Sequence, residues 1–265
     1  MTKAAAQVVE MRRRGPAPAG GHSPYLTYKD EDGEEGICSL RDADALPFET
    51  FSPRRRFPSY RGQPSLPGRY YFTRKDGSGD PAEHVVYESL LEKSHLIALD
   101  FDPDVIAVSS QPFRLQYRAG GRWRKHTPDF FARLRDGGGR VLDVKGSKRA
   151  EEPKTRAVFA ATRRACRAVG WEYQVATELD PTYHANLRWL AGFRREVPDP
   201  ERFAEQLVEL AVDPTPLGVL VERVGGPATS RPVLYHLLWN HLLTCDLTQA
   251  LKETTVITTA TRRAS

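Results

Sequence analysis

Pro128-Asp129 and Asp143-Val144-Lys145 stand at the two ends of one stretch, TPDFFARLRDGGGRVLDVK, with thirteen residues between the aspartates. In a strand, successive side chains alternate between faces, so Asp143 and Lys145 share a side while Val144 points to the other. Gly137-Gly138-Gly139 predicts the reversal, because glycine accepts positive φ. The flanking strands, Asp129 to Leu134 and Arg140 to Lys145, then pair antiparallel and bring Asp129 and Asp143 to one end of a hairpin. Carboxylates held that close repel unless a divalent cation lies between them. Mg²⁺ suits such a pair, since it takes few protein oxygens and completes its octahedron with water and phosphate oxygens. Lys145, on the same face, would orient an attacking water or stabilise oxyanion charge. The chemistry these residue types point to is metal-assisted hydrolysis of a phosphodiester. An acidic-x-Lys triplet by itself usually marks the solvated face of a strand, so it is the added Pro-Asp at hairpin distance that carries the reading.

A third carboxylate must come from another element. Ala82 to Leu99 shows apolar residues near helical spacing, Val86, Leu90, Leu91, Ile97 and Leu99, uninterrupted by Pro or Gly, which predicts a helix. Glu88 and Glu92 are i and i+4 there, on one face, and either is a candidate for the metal; a solvated acidic stripe is the plainer alternative. Val105–Val108 and Phe113–Tyr117 read as two strands around Gln111-Pro112. Gly120-Gly121 then turns the chain towards Pro128, and Arg114, Arg118, Arg122, Arg124, Lys125 and His126 give this region a basic edge. His126 is close enough in sequence to Asp129 to ligate metal, although a solvated or phosphate-facing ring is the favoured expectation. Pro153 suits a first helical turn, Lys154–Val169 reads as an amphipathic helix stopped by Gly170, and Trp171–Ala176 as a further strand. The expected fold class is α/β, a mixed sheet flanked by helices.

Between Thr50 and Lys75 seven basic residues, Arg54, Arg55, Arg56, Arg61, Arg69, Arg74 and Lys75, occur with no acidic one. Prolines exclude a long helix there, so an extended arm is expected. Its guanidiniums would meet phosphates and its Phe and Tyr rings would stack on bases or sugars, or else the arm packs across its own domain. Ahead of it, Tyr25–Tyr28 and Gly36–Leu40 predict a small hairpin around an acidic turn. At the other end, Asn186–Arg195 reads as a helix and Pro198-Asp199-Pro200 as a boundary. Beyond it the sequence predicts an amphipathic helix over Glu201–Val212, a connector over Pro214–Val224, an apolar helix over Arg231–Leu243, and short strands at Asp246–Thr248 and Thr254–Thr259. Helices ending in a small ribbon suggest a winged-helix-like module. Its apolar helix points to protein docking rather than groove reading. The domain expectation is an N-terminal segment over residues 1–75, a core over 76–197 and a C-terminal domain over 198–265.

Lysine and arginine number 39 against 34 aspartate and glutamate, a formal net charge of +5, which is compatible with a nucleic-acid partner. The three cysteines, Cys38, Cys166 and Cys245, have neither disulfide-framework nor zinc spacing. Buried thiols in a reducing cytoplasm are the expectation. No apolar run of membrane-spanning length and no signal-peptide pattern is present.

Four blocks in order, YESLLEKSHLIALDFDPDV, SQPF, TPDFF and VLDVK, together resemble the TnsA-type endonuclease subunit of heteromeric transposases over about Phe57 to Arg195. The resemblance implies a restriction-endonuclease-like PD-(D/E)xK core, Mg²⁺ dependence with Mn²⁺ as a substitute, and cleavage of double-stranded DNA at the 5′ ends of a mobile element. It also implies two partners, a DDE transposase subunit (TnsB-like) and an AAA+ regulator (TnsC-like) at the C-terminal region. Carried over by position, the family's helix glutamate falls on Glu92, with Glu88 as second candidate, its strand aspartate on Asp129 and its lysine on Lys145. One branch has Gln where this chain has Asp143, and Asp is the more usual ligand of such nucleases. Asp129, Asp143, Glu92 and the Val144 carbonyl are thus the expected metal ligands. Arg54, Arg55, Arg56, Arg61, Arg124, Lys125, Lys148 and Arg149 are the expected DNA contacts. Two other functions fit parts of the pattern: a stand-alone restriction or defence nuclease, and a non-catalytic DNA-binding scaffold.

Overall fold

The computed structural model describes residues 23–55, 66–75, 83–199 and 202–260. Two compact units divide the chain, the first of residues up to Asp100 with Asp104–Glu178, the second of Phe101–Pro103 with Leu179 onward.

Two four-stranded sheets form the first unit. One is antiparallel, in the order β2 (Glu35–Ser39), β1 (Tyr25–Lys29), β6 (Phe113–Ala119), β7 (Arg122–His126). The other is mixed, in the order β10 (Glu172–Ala176), β9 (Gly139–Val144), β8 (Phe130–Leu134), β5 (Val105–Ser110), with β9 and β10 parallel. A parallel pair needs a crossover, and α2 (Pro153–Val169) supplies it. Pro153 sits at its first turn, and Gly170 closes it in the left-handed region at φ 93°, as the sequence predicts. Between the layers Phe48 has no solvent exposure, and its ring lies 5.0–5.8 Å from those of Phe51, Phe113, Phe131 and Trp171. Ala161, Ala165 and Cys166 of α2 close this core from the helix side. The α/β class expected from the sequence is what the chain adopts.

Several local expectations are corrected. Residues 83–87 are not helical: they form β4 (Glu83–Tyr87), paired with β3 (Gly68–Phe72), and helix α1 runs from Leu90 to Phe101. The β-branched pair Val85-Val86 between His84 and Tyr87 suits a pleated surface better than a helix, and β3 offers the matching edge. Within the expected arm, Tyr70 and Phe72 are buried. The Tyr70 hydroxyl donates to Asp100 Oδ2 at 2.7 Å, so these rings pack on their own unit rather than on bases. Strands β5 and β6 belong to different sheets, with Gln111 in the left-handed region at φ 47° where the chain passes between them. The β1–β2 hairpin is as expected, yet it joins β6 and so belongs to the core instead of a separate N-terminal segment. Of the three turn glycines, Gly137 adopts positive φ, 89°, whereas Gly139 opens β9.

The second unit begins with α3 (Pro181–Leu190), capped by Asp180 Oδ1, which accepts the Thr182 and Tyr183 amides at 2.9 Å each. It continues with α4 (Phe203–Leu210), β11 (Thr215–Pro216), α5 (Leu217–Val224), α6 (Pro227–Trp239), β12 (Leu243–Thr244) and β13 (Val256–Thr259), the strands in the order β11-β13-β12. The expected connector over 214–224 is therefore a strand and a helix, since Leu217, Leu220 and Val221 form one buried face. Asp246–Thr248 is a turn, not a strand: Asp246 Oδ1 accepts the Thr248 amide and hydroxyl. Asn186 Nδ2 on α3 donates to the Leu247 and Gln249 carbonyls at 2.8 and 2.7 Å. That tie places α3 in this unit, ahead of the expected boundary at 198.

A Cβ at Gly139 would lie 2.7 Å from Phe131 Cε2 and 2.8 Å from Trp171 Cδ1, both in the core. Gly139→Ala is expected to cost about 1–3 kcal/mol of stability by overpacking, read as a lowered urea midpoint at unchanged m-value.

Candidate active site

The hairpin register builds the site. Phe130 pairs with Leu142, and the Asp129 amide donates to the Leu142 carbonyl at 3.0 Å, so Asp129 and Asp143 arrive at the same end as the sequence spacing predicts. Asp129 Oδ2 accepts the Val144 amide at 2.7 Å. The Lys145 amide is held by the Ala176 carbonyl at 2.9 Å, which extends the β9–β10 pairing by one residue. Glu88, Glu92, Asp129, Asp143, Val144 and Lys145 line one open cleft of ≈ 570 Å³, with Arg55, Arg114, Lys125 and His126 at its walls.

Each carboxylate is held differently. Asp143 is buried, and His126 Nε2 lies 2.8 and 2.9 Å from its two oxygens while the Tyr173 hydroxyl donates to Oδ2 at 2.6 Å. Burial, then the charge of Asp143, pushes the Tyr173 pKa far up, so this hydroxyl stays a donor. Glu92 is raised by burial, against which the Glu88 amide and Ser89 hydroxyl pull it back. Asp129 is raised to about 8, first by burial and then by the charges of Asp143 and Glu92, with the Val144 amide and Lys145 opposing. Burial and, behind it, neighbouring carboxylates thus disfavour the ionised forms of Asp129 and Glu92.

The helix glutamates do not sit as i and i+4 on one helical face. Glu88 precedes the helix and accepts Gln111 Nε2 at 3.2 Å. Glu92 is the third helical residue: its carboxylate accepts the Glu88 amide at 2.7 Å and the Ser89 hydroxyl at 3.0 Å, while its own amide donates to Ser89 Oγ at 3.2 Å. Ser89-Leu90-Leu91-Glu92 has the S-x-x-E form of a capping box, a pattern that marks the true helix start in the sequence itself. His126 is also corrected, from a solvated ring to a partner of Asp143.

Two participants were not singled out from the sequence. Tyr173 lies in β10 beside β9, with Tyr173 in register with Val141 and Val175 with Asp143. The strand–helix–strand order already implies a neighbouring strand there, and period two puts Tyr173 on the Asp143 face. Gln111 is the second. Its amide donates to the Asp129 carbonyl at 2.8 Å, its carbonyl accepts the Arg54 amide at 3.0 Å, and its side chain bridges Arg55 Nε (3.2 Å) and Glu88. Nothing in its local sequence signals that hub.

The expected DNA contacts separate. Arg55 and Lys125 line the cleft; Lys148 and Arg149 are exposed in the helical turn after Lys145, and Arg124 is exposed on β7. Arg54 turns inward and pairs with Glu35, so its guanidinium serves the fold. Arg56 and Arg61 lie outside the described residues.

For a divalent cation the donor set fits in part. Among the described residues no three His, Cys, Asp or Glu side chains converge closely enough to enclose a metal ion. Two adjacent hard carboxylates do suit an ion that draws most of its shell from water and phosphate.

A mixed α/β scaffold thus delivers paired aspartates and a lysine to one cleft. The family model described as TnsA-like endonuclease N terminal matches residues 102–178, the segment that supplies Asp129, Asp143, Lys145 and Tyr173. The resemblance read from the sequence blocks is therefore matched over that segment, which is similar to the N-terminal part of TnsA-like endonucleases; Glu88 and Glu92 lie before it. A search of curated proteins finds no match to the chain.

A carboxyl raised in the folded state binds a proton that the unfolded chain has released, so stability falls as pH rises from the unfolded value of about 4 towards the folded value of about 8. Asp129→Asn removes this linkage. In chelator-treated protein it is expected to raise the urea-unfolding free energy by about 2–4 kcal/mol at pH 7 and to change it little at pH 4. Equal pH slopes for the two proteins would contradict the raised value.

Proposed function

We propose that the protein is a Mg²⁺-dependent DNA endonuclease that hydrolyses a phosphodiester at the end of a mobile element, as the nuclease subunit of a heteromeric transposase. The observation that carries the reading is the delivery of Asp129, Asp143 and Lys145 to one cleft by a hairpin inside the segment that matches the TnsA-like endonuclease model. Asp129 and Asp143 would hold the ion, with the Val144 carbonyl as a further oxygen and Glu92 joining directly or through water. Mg²⁺ supplies Lewis acidity and lowers the pKa of a bound water.

The chain's own groups do the positioning. His126 and Tyr173 fix the Asp143 carboxylate, leaving its rotation little freedom. Lys145 places a cation where negative charge builds on the scissile phosphate or orients the nucleophilic water. Arg55 and Lys125 line the cleft and Lys148 and Arg149 are exposed just after Lys145; all four would neutralise flanking phosphates.

The second unit has the order helix, strand, helix, helix, strand, strand after α3, which supports a winged-helix-like module, accompanying the PD-(D/E)xK core, that docks partners: a TnsB-like transposase subunit and a TnsC-like AAA+ regulator. Its α6 is core rather than docking surface, since Val233, Leu234, Leu237 and Leu238 are buried. Trp189 is the better candidate for contact: it is 55 % exposed and packs 5.8 Å from both Phe193 and Tyr235.

Asp129→Ala and Lys145→Ala are each expected to lower nicking of supercoiled plasmid by at least about 10²-fold, the scale of losing one preorganised transition-state interaction, while duplex binding persists. Mn²⁺ titration by calorimetry should lose its heat in Asp129→Ala. Full nicking by either variant would sink the assignment.

A further inference from the structure

The outer face of the β2-β1-β6-β7 sheet has a consistent character of which the catalytic reading uses Lys125 alone. Residues paired across an antiparallel ladder share a face. Thr27 pairs with Arg114, Tyr25 with Gln116, Gln116 with Lys125 and Arg118 with Trp123. Since Leu26, Phe113, Leu115 and Tyr117 are buried, the face opposite them looks outward. Strand β7 is the sheet edge, and Arg122 to Lys125 are all exposed.

Along β1, β6 and β7 this face presents Arg114, Arg118, Lys125 and Lys29 and no carboxylate. Glu35, on the outlying β2, pairs with Arg54. A platform of rings stands at one end: Trp123 is 43 % exposed, packs edge-on to Tyr25 at 5.5 Å, and has the Arg118 guanidinium 5.9 Å from its ring. At the other end, Arg114 and Lys125 enter the cleft of Asp129 and Asp143. Charges on an edge strand commonly serve to prevent edge-to-edge pairing. That purpose explains neither the half-exposed tryptophan nor the continuity of the charge into the cleft.

We propose that this face is the track on which duplex DNA flanking the scissile phosphate lies, with Arg114, Lys125 and Arg118 against successive phosphates and Trp123 packed on a deoxyribose at its far end. Arg114 and Arg118 are four residues apart, about 13 Å at strand rise. One strand of the duplex carries a phosphate every ~3.4 Å of axis, so the track spans about four nucleotides. The occupant follows from charge complementarity: a polyanion of regular spacing meets a row of cations with one apolar stop. The proposal rests on the nuclease reading for the direction in which the DNA runs, but its binding test stands apart from catalysis.

The test is fluorescence anisotropy of a labelled duplex of about 30 base pairs, titrated at several salt concentrations without divalent metal. Arg114→Glu combined with Arg118→Glu should weaken binding at least tenfold and lower the slope of log K against log salt by about two, near 0.9 for each phosphate no longer neutralised. Trp123→Ala should weaken binding two- to tenfold with the slope unchanged, because it removes no charge. Arg41→Glu combined with Arg167→Glu, two exposed arginines off the track, changes net charge equally and should shift affinity less than twofold. Unaltered affinity and slope in the Arg114/Arg118 variant, equal weakening by the Arg41/Arg167 variant, or no duplex binding by the wild type at low salt would each overturn the track. A wild type that binds with this dependence yet nicks nothing with metal and its partners would instead remove the nuclease reading and leave the track standing.

Discussion

Four carboxylates, Glu88, Glu92, Asp129 and Asp143, line one cleft, and their burial and repulsion are the constraint around which the first unit is arranged. Burial disfavours ionisation of Asp129 and Glu92, and a neighbouring charge adds to it, from Asp143 and Glu92 at Asp129 and from Glu88 at Glu92. The structure meets this constraint separately at each residue. Glu92 folds back onto the start of α1 and accepts from Ser89 and the Glu88 amide. Asp143 accepts from Tyr173 and is contacted by His126. Asp129 receives the Val144 amide, yet burial, and then the charges of Asp143 and Glu92 beside it, push it to about 8. The repulsion is therefore concentrated on the residue just ahead of β8, at the end of the hairpin.

That arrangement depends on the core behind it. Position 139 has no room for a side chain because Phe131 and Trp171 occupy the space, and Trp171 leads directly into β10, which presents Tyr173 to Asp143. The Trp171 indole also donates to Asp44 at 2.8 Å, binding an N-terminal turn to the strand that carries the Asp143 partner. Packing of the two sheets and polar order in the cleft are consequently linked: a shift of β10 against β9 would move Tyr173 away from Asp143.

What the sequence made legible is mostly what local rules govern. The hairpin with its PD and DVK ends, the helix between Pro153 and Gly170 and the strand after it follow from period, turn glycine and helix caps, each of them a short-range signal. Where the reading failed, a non-local partner decided. Val85-Val86 looked helical in a run of apolar residues, but the edge of β3 makes them a strand. Tyr70 and Phe72 looked available to bases, but Asp100 on α1 draws Tyr70 inward. Leu217, Leu220 and Val221 looked like a connector because a helix of two turns is too short for a convincing period. At the site the three residues of the metal-type motif were legible by spacing. Gln111 was not, because a left-handed glutamine whose backbone and side-chain polar groups each reach a different partner has no linear signature.

The polar network at Asp143 shows why that carboxylate, rather than Asp129, is the fixed half of the pair. A buried hydrogen-bond network is worth keeping when every member is satisfied, and it is costly when one member is missing. Tyr173 is itself partly buried and holds its proton firmly, so it cannot exchange roles with Asp143; the Arg163 guanidinium, 5.3 Å from its ring, packs over it from α2. Tyr173 and His126 together settle the Asp143 oxygens before anything else enters the cleft. Asp129 has no comparable pair of side-chain donors among the described residues and responds to the charge around it. A cleft with one carboxylate pre-set and one responsive orders a ligand with little rearrangement of the sheet, because the change in charge is confined to the end of the hairpin.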